Sequence, residues 1–163
     1  MEKLVEIDKT KLIIRKGNRN DIDAITKFNI YGSEETTNQS PPVDDIKVGV
    51  SFVLRGHQDF YLVAKYENEY VGQCKVHHHW YDWYDASFWW VEHLYVAKKY
   101  RKQGIASMIL DEVSKLAKEN GYVKKILLHV HQDNHLAIKA YEKWGFDIHD
   151  NKLMYWSITN GLS

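Results

Sequence analysis

The alternation of apolar and polar positions divides this chain into short strands and helices. Lys11 to Lys16 (KLIIRK) reads as a strand. Gly17 and Asn18 turn the chain, and Asp21 can cap a helix with Ile22, Ile25, Phe28 and Ile30 near one face. The polar stretch Gly32 to Pro42 predicts a loop at the border of a substrate cleft, after which Asp44 opens a helix through Val48, Phe52 and Val53. Phe60 to Tyr66 and Tyr70 to Trp80 flank Glu67, Asn68 and Glu69 in the pattern of an antiparallel hairpin, and Ser87 to Val96 is the next strand. The intervening WYDWYD predicts an exposed turn. Gly104 to Asn120 repeats Ile105, Met108, Ile109, Val113, Leu116 and Ala117 at helical spacing and stops at Gly121. Lys124 to His131 predicts a strand, Asn134 to Trp144 a helix ended by Gly145, and Leu153 to Ile158 a last strand. This order predicts an α+β domain around a mixed, mostly antiparallel sheet.

Composition narrows the function classes. At 163 residues, 44% hydrophobic and 27% charged, and with neither linker nor repeat, the whole of 1–163 is expected to form a single domain. Twenty-two basic residues balance 22 acidic ones, so no global field exists to hold nucleic acid or an anionic membrane. The apolar runs fall far short of the roughly 20 residues that span a bilayer, and MEKLVEIDKT lacks the apolar region of a signal peptide. A soluble, cytoplasmic protein is the expectation. The lone Cys74 excludes an intramolecular disulfide and reads as a small core residue.

Chemistry concentrates at VAKKYRKQGIAS, residues 96–107. Lys98, Lys99, Arg101 and Lys102 precede a helix that lacks an Asp, Ser or Thr cap, the wrong charge for the positive end of a helix dipole. Gly104 and the small Ala106 permit close backbone approach, so the N–H groups of 102–107 are suited to cradle a pyrophosphate. A solvated basic loop is the alternative. Neither a G-x-x-x-x-G-K-S/T loop nor a G-x-G-x-x-G fingerprint is present. RKQGIA does match the Arg/Gln-x-x-Gly-x-Gly/Ala signature. Downstream, Asn134, Ala137, Tyr141, Gly145 and Phe146 fit the pattern N-x-x-A-x-x-x-Y-x-x-x-G-F. On these two segments the chain resembles the GNAT acetyltransferases.

That resemblance implies a GNAT fold of six or seven strands with about four helices, and acetyl-CoA as the acetyl donor. It implies that Arg101, Lys102, Gln103, Gly104, Ile105, Ala106 and Ser107 hold the cofactor's pyrophosphate. Leu94, Tyr95 and Val96 would pair with its pantetheine arm, which Asn134 would also touch, and Tyr141 would protonate the departing thiolate. The acceptor is expected to be a primary amine of a small molecule. Because similar enzymes are often dimers, a homodimer is a further expectation.

Glu92, inside the apolar strand FWWVEHLYV, is expensive to bury unpaired and predicts either a cleft-facing base or a structural salt bridge. Residues 80–95 carry eight of the 22 aromatic residues beside Asp82, Asp85 and Glu92, a combination that suits an organic cation or, alternatively, a sheet edge or dimer surface. The stretch from Tyr81 and Asp82 to Glu92 is similar to spermidine/spermine acetyltransferases, although His93 stands where those enzymes tend to carry an acid. A polyamine or diamine is therefore the expected acceptor, with an aminoglycoside, a peptide amine or a non-catalytic acyl-CoA sensor as alternatives. Consecutive His77, His78 and His79 alternate faces on a strand and cannot share one ion, whereas His129 and His131 could contribute two ligands. No metal is expected.

Overall fold

Largely apolar segments build the sheet, and its central strands are buried on both faces at Tyr61–Ala64 and Val71–Cys74. Its strands are β1 (Leu12–Lys16), β2 (Phe60–Tyr66), β3 (Glu69–Tyr81), β4 (Ala86–Val96) and β5 (Val123–Leu128), lying side by side in that order. β1 to β4 are antiparallel neighbours, and β5 joins β4 in parallel. The helices are α1 (Ile22–Thr37), α2 (Val43–Arg55), α3 (Ile105–Asn120) and α4 (His135–Lys143). The computed structural model describes residues 4–150 apart from position 57, together with Met154. The chain divides into two units, Met1–His129 and Val130–Ser163. Five strands stand among the described residues, and the expected strand Leu153 to Ile158 lies outside them.

The register sorts side chains onto two faces. Tyr61, Val63 and Gln73 face α1 and α2, where Tyr61 and Val63 pack with Ile25 and Val50. The amide of Gln73 donates to Asn29 Oδ1 at 2.6 Å, and the Asn29 amide donates to the Tyr61 hydroxyl at 3.0 Å. On the opposite face Gly72 makes room for α3: a β-carbon there would stand 3.1 Å from Ile109 and 3.0 Å from the Tyr95 carbonyl. Cys74 is fully buried on that face, and loss of solvent pushes its thiol up to about 12, so it is a core residue.

Two local expectations are corrected. Gly32 to Thr37 is not loop but the end of α1, because the Thr36 and Thr37 hydroxyls bond to the carbonyls of Gly32 and Ser33 within the helix. Asn38 then ends the helix in the left-handed conformation. Asp21 gives α1 no side-chain cap. Its buried carboxylate accepts from the Asn18 N–H, from both Arg15 guanidinium nitrogens and from the Tyr70 hydroxyl.

Candidate active site

β4 carries the first part of the site. Its parallel pairing with β5 ends at the Val91–Leu128 rung, so Glu92–Val96 has no strand on that side among the described residues. On its other side β4 is bulged: Glu92 faces Lys75 and Tyr95 faces Gln73, leaving Cys74 opposite both His93 and Leu94. His93 takes the strained φ of 51°. Packing around its ring, together with the Lys75 ammonium, holds its pKa below the ordinary imidazole value, although the residue keeps an exposed edge. Beyond the bulge, Leu94 and Tyr95 have no strand partner on the β5 side among the described residues, a fit for an extended amide-bearing ligand. The Val96 carbonyl already accepts from Arg101 Nε at 2.8 Å.

The second part follows directly. Gly104, at φ 83°, precedes α3 without any side-chain cap, and no acidic residue occupies the first turn. Among the described residues no acceptor meets the N–H groups of 102–107, the first helical bond being Met108 N–H to the Gly104 carbonyl. This cluster of free donors around an uncluttered glycine fits a pyrophosphate. The side chains do not follow the sequence expectation so closely. Arg101 forks onto Glu35 at 2.8 and 2.9 Å, and Gln103 donates to the Val5 carbonyl while accepting from Ile7 N–H. At Arg101 and Gln103 the side chains hold the loop, and the backbone is what remains for an anion.

The third part is a row on the α1-side face of β3, β4 and β5. Lys75, His77, His79 and Tyr81 alternate along β3 opposite Glu92, Trp90, Phe88 and Ala86. Glu92 Oε2 lies 2.8 Å from Lys75 Nζ, so the structural salt bridge weighed from sequence is formed. Asp59 holds His77 at 2.8 Å. Burial alone would raise the Asp59 pKa, but hydrogen bonds from His77 and the His78 N–H hold it below the usual carboxylate range. Trp90 stacks on His129 at 4.5 Å, Phe88 meets Tyr81 at 4.3 Å, and Lys125 lies over Phe88. Strand rise places Tyr81 about 20 Å from Lys75. Tyr81 and Glu92 thus stand at opposite ends of one row, and the three carboxylates do not converge. Asp82 accepts from Trp83 N–H, and Asp85 takes a left-handed φ of 46°. β5 ends before His129 and His131, which removes their shared strand face. No group of three potential metal ligands is found among the described residues.

In the second unit Asn134 caps α4 by accepting from Ala137 N–H at 3.2 Å. Tyr141 is half-buried against Phe146 and Trp144, each ring 5.8 Å away. Burial raises its pKa, so the phenol keeps its proton at neutral pH.

The model of the acetyltransferase (GNAT) family matches residues 26–146, which include the open β4 edge, the uncapped α3 and Tyr141. The chain belongs to the GNAT family. That family is one of acetyltransferases. A possible acetyltransferase from Clostridium difficile 630 superposes with a TM-score of 0.85 at 25% identity, over 91% of this chain and 98% of that one. A predicted acetyltransferase from Clostridium acetobutylicum, solved with acetyl-CoA, shares the fold at TM-score 0.75 and 18% identity, over 88% and 95%. The probable N-acetyltransferase san of Drosophila melanogaster is 37% identical over 57 residues, 35% of this chain and 31% of the relative. The match thus spans about a third of that curated relative.

Lys75, Asp59 and Glu35 were missed from sequence. Only strand register or distant pairing reveals them, although a lysine opposite a strand carboxylate is a signal once the hairpin is drawn.

Proposed function

We propose that this GNAT enzyme transfers acetyl directly to a primary amine of an elongated, cationic small molecule such as a polyamine or diamine. The reading is carried by the continuity between the free N–H groups of 102–107 and the unpaired β4 edge, which runs straight into the row ending at Tyr81. The cofactor's pyrophosphate would rest on the N–H groups of 102–107, with its pantetheine amides along Leu94 and Tyr95. That arrangement brings the thioester toward Glu92.

The neutral amine attacks the thioester carbonyl, the new C–N bond forms and the C–S bond breaks. The amine's surplus proton leaves through Glu92 or water beside it. The CoA thiolate is protonated in turn, the role that the family pattern gives to Tyr141, whose phenol is protonated at neutral pH. Rings at Trp90, Phe88 and Tyr81, with Asp82 beyond, favour an extended cation over a compact one. An acceptor panel that follows CoA release tests this. Turnover of diamines, spermidine and spermine ahead of aminoglycosides, amino acids and peptides is expected. Efficient turnover of an aminoglycoside or peptide, with none of the polyamines acetylated, overturns the acceptor assignment. Binding of acetyl-CoA with no thiol release for any acceptor would instead favour a sensor.

A further inference from the structure

Most of the basic run that leads into α3 spends its charge on the protein itself. Lys98 lies 3.5 Å from Glu35, Lys99 2.6 Å from Glu69 and Arg101 2.8 Å from Glu35. Lys102 alone of the four has no ion pair among the described residues. A dianionic pyrophosphate at Gly104 therefore meets less positive charge from this loop than the sequence suggests.

A further cation comes from 95 positions earlier in the chain. The Lys9 ammonium stands 3.5 Å from the point that a β-carbon on Gly104 would occupy, and it makes no ion pair among the described residues. The backbone that carries it is fastened to the same loop. Val5 N–H donates to the Lys99 carbonyl at 2.8 Å, Ile7 N–H to Gln103 Oε1 at 2.9 Å, and Gln103 Nε2 to the Val5 carbonyl at 2.6 Å. Ile7 is buried, and Asp8 starts the turn Lys9–Lys11 by accepting from the N–H and hydroxyl of Thr10. The Asp8 carboxylate is thus engaged by Thr10. Lys9 is held beside an uncapped helix start with its charge unspent.

We propose that Lys9 is a cofactor-binding residue whose ammonium pairs with the pyrophosphate of acetyl-CoA. This rests on the placement of the pyrophosphate at residues 102–107 given above. A full positive charge next to the partial charges of the free N–H groups strengthens anion binding, and an ion pair with a phosphate oxygen is salt-sensitive where the site is open.

Calorimetry of CoA and 3′-dephospho-CoA with the wild type, Lys9→Gln and Lys9→Arg tests it. Lys9→Gln should weaken both ligands by about fivefold to tenfold and make the affinity less sensitive to ionic strength, and Lys9→Arg should restore most of the loss. Lys9 is exposed, so the variants should melt with the wild type. Weakening confined to CoA would assign the charge to the ribose 3′-phosphate and overturn the pyrophosphate pairing. Unchanged affinity for both ligands overturns the proposal. If Gly104→Asp still abolishes binding in that case, the cofactor site stands without Lys9. If Gly104→Asp is also without effect, both assignments fall.

Discussion

Lys75 and Glu92 face each other on the last regular rung of β3 and β4 before the bulge, joined at 2.8 Å. Below it the strands are evenly paired, and above it His93 and Leu94 share a single partner residue. A carboxylate at this rung is held in place by the ammonium across the ladder, with its second oxygen, Oε1, left for a ligand or water.

Glu92→Gln keeps the shape of the side chain while removing its charge. Turnover should fall at least tenfold with acetyl-CoA affinity unchanged, because the proton acceptor is lost or the amine is misplaced. Steady-state kinetics beside a calorimetric titration checks this, and equal kcat in mutant and wild type would leave Glu92 a purely structural partner of Lys75.

Gly104→Asp adds a side chain at φ 83° and a negative charge facing the free N–H groups. The acetyl-CoA dissociation constant should rise more than tenfold, about 1.4 kcal/mol or more. Circular dichroism confirms that the variant is folded, and an unchanged constant in folded protein would remove the pyrophosphate assignment.

Tyr141→Phe retains the ring packed against Phe146 and Trp144. If the phenol protonates the thiolate, kcat falls by roughly 100-fold with little change in acetyl-CoA affinity. Near-normal turnover, measured where chemistry limits the rate, would pass the role to water.

At the far end of the row, Asp82→Asn should raise the acceptor's KM several-fold and leave kcat near wild type, since residue 82 stands far from the reacting atoms. Added salt should weaken acceptor saturation in the wild type more than in the variant.

Asp21 gives a prediction for stability. Burial alone would raise its pKa, but hydrogen bonds from Arg15, Tyr70 and the Asn18 N–H outweigh that and lower it to about 2. A folded-state value below the unfolded one stabilises the protein above the ordinary carboxylate range, and that contribution, on the order of 2 kcal/mol, is lost as pH falls through about 2. Urea unfolding should show Asp21→Asn destabilised by about 3 kcal/mol at pH 7, with a flatter pH dependence in acid.

Strand and helix order was legible because Phe60–Tyr66 is a short, continuous apolar run beside a turn and Ile105–Asn120 repeats its apolar residues at helical spacing. The end of α1 was not, since Ser33, Thr36 and Thr37 read as loop until their hydroxyls are seen bonded within the helix. The uncapped start of α3 was legible through Gly104 and the missing acidic or hydroxyl cap. The use of its charges was not, because Glu35 and Glu69 approach from other elements. For Glu92 the residue was legible and its partner hidden, because naming Lys75 requires both the hairpin register and the bulge.

The clasp between Gln103 and residues 5 and 7 joins positions 98 and 96 apart. During synthesis at roughly 5–20 residues per second, Val5 and Ile7 are added about 5–20 s before Gln103 exists to receive them. Val5 and Ile7 must therefore wait, without their native partner, until β4 has been made and the chain has turned toward α3. Closing so long a loop costs entropy that is recovered only when the clasp forms, which places the anchoring of Val5 and Ile7 among the late events of folding.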